Sequence, residues 1–319
     1  MIYIILFLTS FSLAYLIKNY AIKKSLIDIP NDRSSHTIPT PHGGGIAIAI
    51  TWFLGLIYLF FINEIDKTLF FTLLGGAVIS VVSFFDDLYN LSPKIRLFTQ
   101  SLVAISGLYI LGGLNSIDFG LFVIKNHIFT NTFAFFMIVW FINLYNFLDG
   151  INGYAGSEAV FLGLAGYILF SGNHFLVLII SVLGFLYWNW NKAKIFMGDV
   201  GSTLLGYNIA IFTIYYANQN SKNLLIWLIL FSLFWFDATL TLFRRWKNKE
   251  KLSQAHKKHA YQRLTQAGWS HLKVSTFAIL LNTIIFCIVY FISNIYLDFL
   301  VTIILLYATI KFVDLKKQF

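Results

Sequence analysis

Long apolar stretches follow one another along almost the whole chain, and that pattern leaves few folds open. A helix needs about 20 mostly apolar residues to cross a bilayer. Eleven stretches approach that length: 2–20, 45–62, 68–85, 95–114, 130–147, 159–170, 175–190, 203–218, 223–242, 274–293 and 295–312. In lipid every backbone N–H and C=O must be paired within the protein, so such stretches are expected to be helical. The expected fold class is therefore all-α: a polytopic integral membrane protein with about eleven transmembrane helices. Only 12% of the 319 residues are charged, against about 25% in a typical soluble domain. This excludes a soluble enzyme and a disordered chain, and a single cysteine, Cys287, excludes a disulfide scaffold. No insert of soluble-domain size interrupts the pattern, so residues 1–319 read as one integral membrane domain.

The basic residues orient it. Nothing basic precedes the first span and no small-residue cleavage site follows it, so it does not read as a cleaved signal. Lys18, Lys23, Lys24 and Arg33 follow it instead. With alternating loops, 20 of the 23 Lys and Arg fall on one side, and only Lys67, Lys125 and Lys222 fall on the other. Basic loops stay in the cytoplasm. The N-terminus is thus expected outside and the C-terminus in the cytoplasm, and the net charge of +9 belongs to membrane-side loops rather than to a nucleic-acid surface.

On this map the chemically suggestive clusters share the cytoplasmic face. Pro41-His42-Gly43-Gly44-Gly45 ends the first loop, and Asp86-Asp87 opens the second. Adjacent helical residues point about 100° apart, so these two carboxylates face different neighbours; a solvated helix end is the plain alternative. Asn143, Asn146 and Asp149 recur every third residue and form one polar stripe at a helix end, followed by Gly150, Asn152 and Gly153. Carboxamides and a carboxylate there suit sugar hydroxyls, a base edge or a cation. Gly198-Asp199-Val200-Gly201-Ser202 precedes a helix, where glycines and free N–H groups favour phosphate and Asp199 suits a hard cation. His256, His259 and Arg263 lie in a loop with nine basic residues and read as a phosphate clamp or as a lipid-facing basic patch. His127, His174 and His271 read as structural or solvated. Asp237, inside a span, reads as an ion-pair partner or as a group orienting that loop.

The ordered set Thr40-Pro41-His42-Gly43-Gly44, Phe85-Asp86-Asp87, Asn146-x-x-Asp149-Gly150, Phe196-Met197-Gly198-Asp199-x-Gly201-Ser202 and His256-x-x-His259-x-Tyr261-Gln262-Arg263-Leu264 resembles the polyprenyl-phosphate N-acetylhexosamine-1-phosphate transferase superfamily. The resemblance covers residues 28–265 or so, and its ending looks most like the O-antigen initiating branch. It implies transfer of an N-acetylhexosamine 1-phosphate from a UDP-N-acetyl sugar to undecaprenyl phosphate with release of UMP, in the bacterial inner membrane, with the active site on the cytoplasmic face. It implies Mg²⁺, with Mn²⁺ as the alternative, held by Asp199 and Asp87. Asp86, Asp87, Asp149, His256 and His259 would be catalytic, with the base left between Asp86 and Asp87. His42, Asn143, Asn146, Asn152 and Arg263 would bind substrate. The family includes dimers, so a homodimer is an open expectation. One departure stands out: Asn152 occupies a position where the family usually has Asp.

Two other classes compete. An aromatic-acceptor prenyltransferase would need paired Asp at i and i+4, which neither Asp86-Asp87 nor Asn146-x-x-Asp149 offers. A transporter would place its polar residues near the bilayer midplane, whereas these clusters lie at span ends.

Overall fold

The computed structural model describes residues 1–319 except 31–34, 253, 255 and 293; Arg33, one of the basic residues used above for orientation, lies outside the described residues. The chain folds into α1 (Ile2–Lys23), β1 (Ile27–Asp28), β2 (Thr40–Pro41), α2 (Gly45–Phe61), α3 (Lys67–Leu73), α4 (Gly75–Tyr89) and α5 (Pro93–Leu111). Next come β3 (Ile117–Asp118), β4 (Val123–Ile124), α6 (His127–Phe147), α7 (Tyr154–Phe170), α8 (Asn173–Asn189) and α9 (Asp199–Gln219). The last elements are α10 (Lys222–Leu230), α11 (Ser232–Lys247), α12 (Ala260–Gln266), α13 (His271–Phe291) and α14 (Ile295–Lys316). The strands form two antiparallel pairs, β1 with β2 and β3 with β4. The fold is otherwise helical.

Each of the eleven apolar stretches is helical. Among the described residues, six helices are long and apolar enough to cross a membrane: Ile2–Lys23, Lys67–Tyr89 (α3 and α4 taken together), Pro93–Leu111, His127–Phe147, His271–Phe291 and Ile295–Lys316. A seventh arises if α10 and α11, bent by 75° at Phe231, count as one span. Three more, α2, α7 and α8, are apolar but shorter. The expected apolar stretches are thus helical, while six or seven helices, against the expected eleven, meet the length and composition of a crossing.

The remaining helix, α9, is the hub. It packs against α6, α4, α10 and α2, and all but its two ends and Tyr215 are buried. A helix wrapped by protein need not be uniformly apolar, and small residues let neighbours approach it closely. Gly206 faces the Phe141 carbonyl, and Gly201 meets the backbone of Gly45 at the start of α2. A Cβ at either position of the Gly45–Gly201 contact would overlap its partner, so α2 and α9 cross here with backbone against backbone. Three hydrogen bonds extend this contact: Phe196 N–H to Pro41 O (2.8 Å), Gly44 N–H to Phe196 O (2.9 Å) and Gly45 N–H to Met197 O (2.7 Å).

Candidate active site

Helix ends build the site. α4 terminates just after Asp86-Asp87, α6 leaves through Asn146 and Asp149, and α9 begins at Asp199. With the turn before α2 they enclose a cavity of about 690 Å³ whose wall includes His42, Asp87, Asn146, Asp149, Asp199 and Gln262. The Asp87 Oδ1 atom accepts a hydrogen bond from the Asp199 backbone N–H at 3.3 Å, while Oδ2 is buried without a partner. Gly198, at φ +76°, lies against that oxygen, and a Cβ there would sit 2.9 Å from it. Glycine is required both by the left-handed backbone and by the approach.

Asp86 faces the other way. It accepts a hydrogen bond from the Arg96 guanidinium at 2.9 Å, and Arg96 also stands 3.8 Å from Asp199. Beyond Asp199 and Asn146, on the Arg96 side, lies a small cleft that Gln100, Asn143 and Thr203 also line. Asn143 donates to Gln100 Oε1 at 2.7 Å and joins α6 to α5.

The carboxylates repel one another in a dry setting. Burial first, and then the Asp199 and Asp87 charges, hold Asp149 well above the usual carboxylate range. Asp199 is raised by burial and then by Asp87 and Asp86, with Arg96 opposing. Such a cluster favours a cation. Among the described residues, no group of three or more His, Cys, Asp or Glu is arranged to hold a metal by itself. A hard ion of the Mg²⁺ type takes one or two protein carboxylates and completes its shell with water and substrate phosphate. Asp87, with its unpartnered Oδ2, and Asp199 are the residues that could hold it.

Residues 69–217 match glycosyl transferase family 4. The chain is 32% identical over 299 residues to a probable undecaprenyl-phosphate N-acetylglucosaminyl 1-phosphate transferase of Bacillus subtilis (strain 168), covering 90% of this chain and 82% of that one. The chain belongs to the polyprenyl-phosphate N-acetylhexosamine-1-phosphate transferase family. The undecaprenyl-phosphate alpha-N-acetylglucosaminyl 1-phosphate transferase of Yersinia pestis is 30% identical, with 84% and 77% of the two chains covered. The decaprenyl-phosphate N-acetylglucosaminephosphotransferase of Mycobacterium tuberculosis (strain ATCC 25618 / H37Rv) is 27% identical, with 81% and 73% covered.

In this transferase His42, Asp87, Asn146, Asp149 and Asp199 share the cavity wall. Asp86 and Asn143 stand behind it. The loop before α12 behaves differently from the expected clamp. Of its motif residues, Gln262 reaches the cavity. His259 is buried at the N-cap of α12, 3.8 Å from Asp237. His256 packs against it, with ring centroids 4.9 Å apart. Burial and the nearby Arg245 lower both imidazoles to about 4 (for His256, His259 also contributes), so both are neutral at pH 7. Arg263 turns to α14, where it donates to Asp314 at 2.6 Å and to the Lys317 carbonyl. Asp237 accepts the Ala260 N–H at 2.9 Å and so orients this segment from α11. Tyr261 stacks on Tyr154 and donates to Phe147 O at 3.1 Å, over Gly150. Together these contacts deliver Gln262 to the wall.

Asn152 is not on that wall. Its Nδ2 donates to Asn191 O at 2.8 Å and its backbone N–H meets His271 Nδ1 at 3.4 Å. The residues that sequence reasoning missed are Asp28, Ser35, His36, Asn90 and Asn189, all on the cavity wall, and Arg96, which was counted only as a basic loop residue. They sit in turns and helix ends without periodic pattern. Arg96 lies in the first turn of α5, across the Asn90–Ser92 connection from Asp86-Asp87.

Proposed function

We propose that this transferase moves N-acetylglucosamine 1-phosphate from UDP-N-acetylglucosamine to undecaprenyl phosphate, releasing UMP, with Mg²⁺ bound at Asp87 and Asp199. The observation that carries the reading is the convergence of Asp87, Asp149 and Asp199 from three helix ends on one cavity, in a chain whose relatives bear these transferase names.

A phosphate oxygen of the lipid attacks the sugar-bearing phosphorus, a new P–O bond forms, the bond to the UMP phosphate breaks, and the electron pair leaves with UMP. When bound, the metal would neutralise charge on the diphosphate and on departing UMP. The protein's share is positioning. Phosphate monoesters are already largely dianionic at pH 7, so the demand on a base is mild. Asp87 faces the cavity and is the carboxylate placed to orient an incoming phosphate. Asp86 holds Arg96, whose guanidinium stands beside Asp199 and offsets anionic charge on the membrane side. Asn146, held by Ser202 Oγ at 3.2 Å, and Gln262 offer amide groups to nucleotide or sugar.

The same reading places the chain in the bacterial inner membrane with eleven helical passes, the N-terminus outside and this cavity on the cytoplasmic face. It is supported by the charge asymmetry of the loops and by the clustering of the polar motifs at one end of the bundle. The product would begin a lipid-linked cell-envelope glycan, such as an O-antigen.

The deciding experiment supplies the detergent-purified chain with undecaprenyl phosphate and a panel of UDP-N-acetyl sugars, with Mg²⁺ or with EDTA. Mg²⁺-dependent UMP and a lipid diphosphosugar from UDP-N-acetylglucosamine support the reading. Release of UDP would mean glycosyl transfer and overturn it.

A further inference from the structure

Among the described residues, the cavity wall carries four carboxylates, Asp28, Asp87, Asp149 and Asp199, no Lys or Arg, and two side chains able to carry positive charge, His36 and His42. An anionic diphosphate entering such a space needs hydrogen-bond donors beyond any metal. His42 sits on the turn beside Gly198. His36, also on the wall, is left without a role by the transfer chemistry above.

His36 is firmly held. Its ring meets the Phe196 ring edge-on, with centroids 4.8 Å apart. Phe196 is itself fixed by backbone bonds to Pro41 and Gly44 and runs directly into Met197-Gly198-Asp199. On the other side, the carbonyl of Ser35 is bonded to His271 Nε2 at 3.0 Å, which ties the backbone to α13. The Asp28 carboxylate, on β1, stands 3.8 Å from His36 Nε2, too far for a hydrogen bond. Nε2 is buried and makes none. Buried polar atoms are nearly always paired, so an unpaired one needs a reason. Here the ring lies on the wall of the substrate cavity and is only 13% exposed.

Resting on the proposed reaction, we infer that His36 is a donor-recognition residue: its imidazole hydrogen-bonds the diphosphate or the sugar of the nucleotide-sugar, with Phe196 fixing the ring. Contact with the diphosphate would bind donor and transition state alike, so its loss appears in KM rather than in kcat. The lipid phosphate is assigned above to Asp87 rather than to His36, so the acceptor KM should not respond.

The test uses the full chain in detergent, with undecaprenyl phosphate, UDP-N-acetylglucosamine and Mg²⁺, and varies each substrate in turn. His36→Phe keeps the packing on Phe196 and removes both nitrogens. Its donor KM should rise about tenfold, the loss of one charge-assisted hydrogen bond, with kcat and acceptor KM within about twofold of wild type. His36→Gln, which retains an N–H donor, should recover part of the loss. An unchanged donor KM in His36→Phe, or a parallel fall of kcat and thermal midpoint in both variants, overturns the assignment. A wild-type chain that releases no UMP from any donor instead defeats the proposed function, and the assignment with it. An active wild type with an indifferent His36→Phe defeats the assignment alone.

Discussion

Asp87 accepts the backbone N–H of Asp199 at 3.3 Å, so the end of α4 is tied to the start of α9 through the two carboxylate residues that face the cavity together. A carboxamide at 87 can still accept that hydrogen bond but brings no charge to a metal. Asp87→Asn and Asp199→Asn are therefore expected to fold and to lose transfer by about 10²-fold or more, the scale of losing a preorganised electrostatic partner. UMP release at saturating Mg²⁺ checks this. Wild-type turnover and Mg²⁺ dependence in Asp199→Asn would remove Asp199 from the metal.

The resemblance read from the sequence puts Asn152 where an Asp is usual, and one contact of its side chain calls for an amide. Its Nδ2 donates to Asn191 O at 2.8 Å. A carboxylate would lose that donor and set an anion against a carbonyl. Asn152→Asp is expected to cost about 1–3 kcal/mol of stability, read as a lower thermal midpoint, with donor KM within about twofold. A large change in donor KM with unchanged stability would return Asn152 to donor binding.

Much of the cavity was legible because its motifs sit at helix ends, where apolar periodicity stops and polar residues stand out. Asp86-Asp87, Asn146 with Asp149, and Gly198-Asp199 are such ends, and the topology brings all three together. The direction of each side chain was less legible. The glycines of Pro41–Gly45 stand out in the sequence as a cluster, but Gly44 and Gly45 serve the backbone crossing of α2 on α9. The histidines and Arg263 of the loop before α12 look alike in sequence as cations. Three-dimensional neighbours separate them: Asp237 lies beside His259, Asp314 pairs with Arg263, and Gln262 alone turns inward. His36 and Asn189 carry no spacing signal, because a loop and the last residue of α8 bring them to the wall.

The Gly45–Gly201 crossing should tolerate no side chain. Gly201→Ala would force α2 away from α9 and shift the turn that carries His42. Overpacking of this kind costs about 1–3 kcal/mol. A lower thermal midpoint and reduced transfer should appear together, and a fully active, equally stable Gly201→Ala would show that the helices have room.

Arg263 fastens α12 to α14. Its guanidinium bonds Asp314, which also takes a bidentate contact from Arg244 at 2.9 and 3.0 Å. Arg263→Ala should cost about 2–4 kcal/mol, close to the loss of a buried pair, and should loosen Gln262, raising donor KM as a secondary effect. Arg263→Lys should restore only part, because an ammonium cannot reproduce the planar fork. Equal stability of all three proteins would mean that α12 is held by Asp237 and Tyr261 without it.

His259 sets an acid limit on the fold. Burial and Arg245 lower its imidazole from the ordinary 6.5 to about 4, so between those values the unfolded chain binds a proton that the native one does not. Stability then falls as pH drops from about 6.5 to about 4 and levels off below. The full loss is on the order of 3 kcal/mol for this one group. His256, similarly lowered but more exposed, adds in the same direction. Asp149 and Asp199, raised by burial, take up protons first in the native state and act in the opposite sense, so the His259 share is read as the difference between the wild-type and variant thermal midpoints recorded from pH 7.5 to 4. His259→Gln, which does not titrate, should decline less steeply. Parallel curves would show that protonation of His259 is not what destabilises the acid form.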